Sequence, residues 1–99
     1  MYVVRDVFRC KPGKAKELAN RFQQLVPSME RDDHFRNCKV MVDVATTYWT
    51  VVLEAEFETL ADFERHMAEF SAREEVKAVL AGYMELVDGG HRELYRLVE

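Results

Sequence analysis

From Tyr48 to Glu58 the chain alternates without a break. Trp49, Val51, Leu53, Ala55 and Phe57 fall on one side, and Tyr48, Thr50, Val52, Glu54 and Glu56 on the other. A period of two belongs to an extended strand whose successive side chains point to opposite faces. One side is wholly apolar and has to lie on a core. The other mixes carboxylates with valine and aromatic groups and cannot be buried in the same way. A chain built around such a strand is committed to a sheet with one covered face.

The cover comes from two helical segments. After a first strand over Tyr2–Cys10, the run Lys11-Pro12-Gly13 breaks the ladder, because proline lacks a donor and glycine frees the turn. Leu18, Phe22, Leu25, Val26 and Met29 then form one stripe at helical spacing. Pro27 predicts a kinked or irregular last turn, and Glu30-Arg31-Asp32-Asp33 reads as a polar loop. A second strand follows over Arg36–Ala45, with Cys38, Val40, Val42 and Val44 on one face, then a turn at Thr46-Thr47. Thr59-Leu60-Ala61-Asp62 is a helix start, with Leu60, Phe63, Met67 and Phe70 on its apolar side. Ser71-Ala72-Arg73-Glu74 is a second start, so this helix is expected to split. Its continuation carries Val76, Val79, Leu80, Tyr83 and Val87, with Asp88-Gly89-Gly90 as the stop and Glu93–Val98 as a last strand.

The order is therefore β-α-β-β-α-β with a split second helix. It predicts an α+β, ferredoxin-like domain over residues 1–99, with an antiparallel four-stranded sheet and both helical segments on one face. Ninety-nine residues allow one core and no second domain. Eighteen acidic against fourteen basic residues, a net charge of -4, leave no basic stripe for nucleic acid. No apolar run approaches the ~20 residues of a membrane helix, and the start is not a signal peptide, so a cytoplasmic protein is expected. Cys10 and Cys38 have neither Cys-x-x-Cys spacing nor a histidine pair beside them. They read as small buried hydrophobes rather than zinc ligands.

The face away from the helices shows Met41, Asp43, Tyr48, Val52, Glu54 and Glu56, together with one side of the first strand. It is too greasy for open water and too charged for a core. A second copy lying against it resolves the conflict, with Arg5 or Arg9 available to pair with Glu54 or Glu56.

Three stretches carry a family resemblance: Phe8-Arg9-Cys10-Lys11-Pro12-Gly13-Lys14, Trp49–Phe57, and Leu60-Ala61-Asp62-Phe63-Glu64-Arg65-His66. With the closing Glu93-Leu94-Tyr95-Arg96 they resemble the dimeric α+β barrel superfamily, and within it the antibiotic-biosynthesis-monooxygenase and NIPSNAP-like domains. The resemblance implies a homodimer whose sheets close into a barrel, with a cleft between sheet and helices in each subunit. Activities in that superfamily include cofactor-free oxygenation and haem degradation, and other members are without known activity. The haem-degrading branch carries Asn, Trp and His where this chain has Asp6, Phe57 and His66, so two of three positions differ and haem handling is disfavoured.

Asp6 shares a strand face with Tyr2, Val4, Phe8 and Cys10, an apolar setting for a carboxylate. Either a cation or hydrogen bonds satisfy it, or it takes up a proton and becomes a candidate base. His66 borders the stripe of the second helix and is the other proton-transfer candidate; water or Glu69 would satisfy a purely structural histidine there. His34 and His91 read as surface residues, and no histidine has an acid at metal-ligand spacing. Trp49, Phe57, Phe63, Phe70 and Tyr83 are expected between sheet and helices, as core or as the lining of a pocket for a flat aromatic or polycyclic ligand. Two functions follow as expectations. One is a cofactor-independent monooxygenase without metal, acting on an aromatic substrate through Asp6 and His66. The other is a non-catalytic ligand-binding or regulatory dimer.

Overall fold

The computed structural model describes residues 1–99. The strands are β1 (Tyr2–Cys10), β2 (Arg36–Val42), β3 (Thr50–Phe57) and β4 (Val87–Arg96). The α-helices are α1 (Ala15–Asp32), α2 (Leu60–Glu69) and α3 (Glu74–Leu80), with 3₁₀ turns at Phe70–Ala72 and Tyr83–Leu86. The sheet is antiparallel in the order β2-β3-β1-β4. This is the ferredoxin-like arrangement, with its second helix broken as the repeated start signal implies.

Register decides which side chains meet the helices. Tyr2, Val4, Asp6 and Phe8 stand opposite Phe57, Ala55, Leu53 and Val51, so all eight share one face. Arg92 and Leu94 of β4 join it opposite Asp6 and Val4. Beneath the helices, Val4, Cys10, Val51, Leu53, Ala55 and Phe57 pack against Leu18, Phe22, Leu25 and Met29 of α1 and Val76 of α3. The molecule measures 36 × 34 × 18 Å, a plate two layers thick. The second sheet face, with Val3, Arg5, Val7, Val52, Glu54 and Glu56, therefore has no layer over it. Two of its cations are paired within the chain: Arg5 lies 3.2 Å from Glu54, and Lys39 lies 3.5 Å from the same carboxylate.

Several boundaries depart from the sequence reading. Helix α1 runs through Pro27 to Asp32, taking in most of the expected polar loop. Pro27 and Gln23 both lie on the exposed side, where water can donate to the carbonyl that proline leaves without a donor. Strand β2 ends at Val42, and Val44 is fully exposed beyond it. Trp49 is not part of β3; it adopts φ 61° and is 42% exposed, so it lies outside the sheet–helix layer. The break before α3 is present, but Arg73 rather than Ser71 occupies the cap position.

The largest shift is at the C-terminal end. Helix α3 stops at Leu80, and Gly82, at φ 75°, turns the chain. Asp88-Gly89-Gly90 then belongs to β4 instead of ending a helix. Strand β1 is nine residues long and its pairing with β4 extends to Cys10 opposite Val87, with a bulge at Asp88. Gly90 is needed for close approach: a Cβ there would lie 2.3 Å from the Val7 carbonyl oxygen. Gly90→Ala is expected to lower stability by about 1–3 kcal/mol, read as a lower urea midpoint at unchanged slope. An unchanged midpoint would show that β4 can shift to make room.

Candidate functional site

A cavity of about 200 Å³ opens between the sheet and the α2–α3 segment. Phe8, Phe22, Leu25, Leu53, Phe70 and Tyr83 make most of its apolar wall, and Asp6, His66 and Arg92 are the ionisable groups on it. A second hollow shares Asp6, Phe8, Tyr83 and Arg92 and continues along β4. The first cavity lies just below the usual range of small-molecule sites, about 300–1,000 Å³, and has the volume for a one- or two-ring ligand.

Asp6 finds its cation. Arg92, directly across the β1–β4 ladder, donates from Nε to Asp6 Oδ1 at 2.6 Å. The guanidinium also lies over the Phe63 ring at 5.7 Å and places Nη1 3.0 Å from Met67 Sδ. The pair stands where the two hollows meet, and its carboxylate is already satisfied.

His66 occupies a helical stripe position between Phe63 and Phe70 and is only 9% exposed. Its ring lies between Phe35 and Phe70, with centroids 4.7 and 4.6 Å away. Nδ1 is 2.8 Å from Oδ2 of Asp33, a carboxylate with no exposed surface. Arg73 donates to both oxygens of the same carboxylate, from Nη1 to Oδ2 at 3.1 Å and from Nη2 to Oδ1. Ser28 accepts from Arg73 at 3.2 Å and donates to Glu75 at 3.0 Å. Nε2 of His66 has no hydrogen-bond partner within the chain.

The structure thus brings Asp6, His66, Phe70 and Tyr83 to one cavity. Phe57 is fully buried behind it, stacked on Tyr2, Phe35 and Phe63. Phe63 faces Arg92, and Trp49 stands apart. His34 and His91 are exposed. Nowhere do three His, Cys, Asp or Glu side chains converge as a metal ligand set would. Burial, followed by Glu30 and Asp33, pushes the Cys38 thiol up to about 12, and burial followed by Asp88 raises Cys10. Neither thiol touches the cavity.

Asp33, Arg73 and Arg92 were not singled out from the sequence. Asp33 looked like part of a solvated acidic run. The signal was present nonetheless: the α1 stripe, extended four residues past Met29, lands on Asp33. An acid on one apolar stripe and a histidine on another are natural partners.

A family model described as antibiotic biosynthesis monooxygenase matches residues 1–82. No curated protein matches the sequence. Among solved structures, the chain is similar to a NIPSNAP-like domain protein from Burkholderia xenovorans (18% identity, 98% of this chain and 84% of that one, TM-score 0.81). It is also similar to a NIPSNAP family protein from Agrobacterium tumefaciens (12%, 99% and 86%, 0.82) and a Shewanella oneidensis protein (24%, 95% and 87%, 0.74).

Burial alone would raise the Asp33 carboxyl. The hydrogen bonds and positive charge of His66 and Arg73 outweigh it and hold Asp33 below the ordinary carboxylate value. A carboxyl depressed in the folded state stabilises it fully above the unfolded value, about 3.9. That contribution fades as pH falls through the folded value. Asp33→Asn is therefore expected to lower stability at neutral pH and to flatten its loss on acidification below about pH 4. Urea midpoints across that range, compared with wild type, test this; parallel curves would mean Asp33 contributes nothing to acid sensitivity.

Proposed function

Because this chain belongs to the antibiotic biosynthesis monooxygenase family, we propose that it oxygenates a small one- or two-ring aromatic compound in the sheet–helix cavity without a cofactor. The single observation that carries this reading is His66: a buried imidazole on an apolar cavity wall whose Nε2 has no partner within the chain. Such a nitrogen can take a proton from a phenolic hydroxyl or an activated C–H. The substrate anion then passes one electron to dioxygen, the radical pair joins to a peroxide anion, and the imidazolium returns its proton to give the hydroperoxide. At an activated CH2, loss of water leaves a C=O, so one oxygen atom stays on carbon and the other departs in water. The apolar wall keeps bulk water from the anion, and its aromatic rings pack on a flat substrate. Asp6, already committed to Arg92, is assigned to holding that guanidinium at the cavity mouth, which leaves the proton to His66.

Oxygen uptake with one-ring hydroquinones and two-ring naphthohydroquinones tests the proposal. His66→Ala is expected to lower the rate by about a hundredfold or more, and Asp6→Asn by less. Uptake equal to wild type in His66→Ala would overturn the assignment. No uptake with any such compound, alongside saturable binding, would favour a ligand-binding protein that turns nothing over.

We also propose that the chain pairs with a second copy through the bare sheet face. Val3, Val7, Val52 and Met41 supply its apolar share. Arg5 and Glu54 are already paired within the chain, which leaves Arg9, without an acidic partner of its own, to meet a carboxylate across the interface. Small-angle scattering at micromolar concentration is expected to give twice the 11.6 kDa chain mass. A particle of one chain mass would remove the dimer.

A further inference from the structure

We propose that Asp33, gripped by Arg73, is a positioning residue that fixes His66 with its proton on Nδ1 and its Nε2 lone pair toward the cavity. The inference rests on the base assigned above for its meaning in catalysis, but not for its test. Asp33 does not line the cavity while His66 does, so Nδ1 is turned inward and Nε2 is the nitrogen left for a ligand. A carboxylate can only accept, so the ring nitrogen facing it must donate. Phe35 and Phe70, on either side of the imidazole, oppose a flip of the ring.

Arg73 keeps the acceptor in place. Its two donors hold both Asp33 oxygens and leave Oδ2 shared with His66, a geometry that a single contact would not enforce. It also supplies the counter-charge. Asp33 and Arg73 together are neutral, so the imidazole is not needed as the cation that a lone buried carboxylate would demand. The charged groups facing His66 are Asp33 from the end of α1, Arg73 from the start of α3, and Asp6 and Arg92 across the cavity; Glu69, on its own helix, is exposed. The two arginines balance the two aspartates. When Nε2 takes a proton, the new positive charge is met chiefly by the substrate anion formed in the same step. The class of ligand that such a site serves is a weak acid whose conjugate base stays bound, rather than a permanent cation.

The imidazole tautomer reads this directly. Nitrogen-15 NMR of the full chain is recorded at rising pH until the imidazole signals stop moving, which marks the neutral ring. His34→Gln and His91→Gln together leave His66 as the one histidine in the spectrum. The expected signature is a proton on Nδ1, the reverse of the preference of a free histidine side chain in water. Asp33→Asn should abolish that bias, since an amide can donate to Nδ1. Arg73→Lys should weaken the bias while retaining the charge. Amide spectra that overlay with the parent establish that each variant is folded. If Asp33→Asn does not fold, the parent tautomer and Arg73→Lys still decide. A proton on Nε2 in the parent, or an Nδ1 bias unchanged in folded Asp33→Asn, would overturn the inference. With an active substrate, Asp33→Asn should lower kcat about a hundredfold at nearly constant KM, because it moves the base and not the cavity wall. If the tautomer is as expected but no substrate consumes oxygen, the oxygenase reading fails and this one stands. If oxygen is consumed through His66 with the proton on Nε2, the reverse holds.

Discussion

One carboxylate with no access to water ties the helical layer together. Asp33 closes α1, Arg73 opens α3, and His66 comes from the last turn of α2, so their shared contacts join three helices of the layer. Burying a charge in this way is costly unless it is paired and fully hydrogen-bonded. Here two oxygens meet one bidentate guanidinium and one imidazole, which offsets that cost. The same arrangement that makes the acid tolerable also gives the histidine a definite orientation. Stability and a potential catalytic geometry are thus properties of one contact set.

Around that centre, the two sheet faces do opposite work. The helix-facing side is almost wholly apolar toward β3, and becomes ionic along the edge formed by β1 and β4, where Asp6 meets Arg92. This is also where the helical cover is weakest, because the path from α2 to β4 is broken by two 3₁₀ turns and Gly82. The cavity lies where regular packing gives out. The other sheet face holds charged side chains in register with valines, and its ion pairs are closed within the chain. Closing them internally leaves the apolar strip and Arg9 as the parts of that face still to be satisfied.

Much of this was legible in the chain itself. The alternation of β3, the stripe of α1 and the Thr59 cap, whose hydroxyl accepts from the Asp62 amide, were read from local pattern, and the architecture follows from them. His66 stood out because an ionisable group broke an apolar stripe. Asp33 did not, because three charged neighbours and an upstream proline made its segment look solvated. Arg73 was read as a residue inside a helix start rather than a side chain aimed into the protein. Asp88-Gly89-Gly90 resembled a helix stop, since glycine's local preferences are the same whether it ends a helix or lets two backbones approach.

What the sequence determined alone was everything governed by neighbours a few residues apart: element types, their order, and the faces that seek a core. Periodicity is local, and the hydrophobic effect acts on it without knowledge of the partner. The tertiary structure decided which distant groups neutralise one another: Arg92 for Asp6, and Asp33 with Arg73 for His66. It also decided where β4 begins. Charge pairing and ladder register depend on distances of a few ångströms between residues dozens of positions apart, and those distances exist only once the layers have closed.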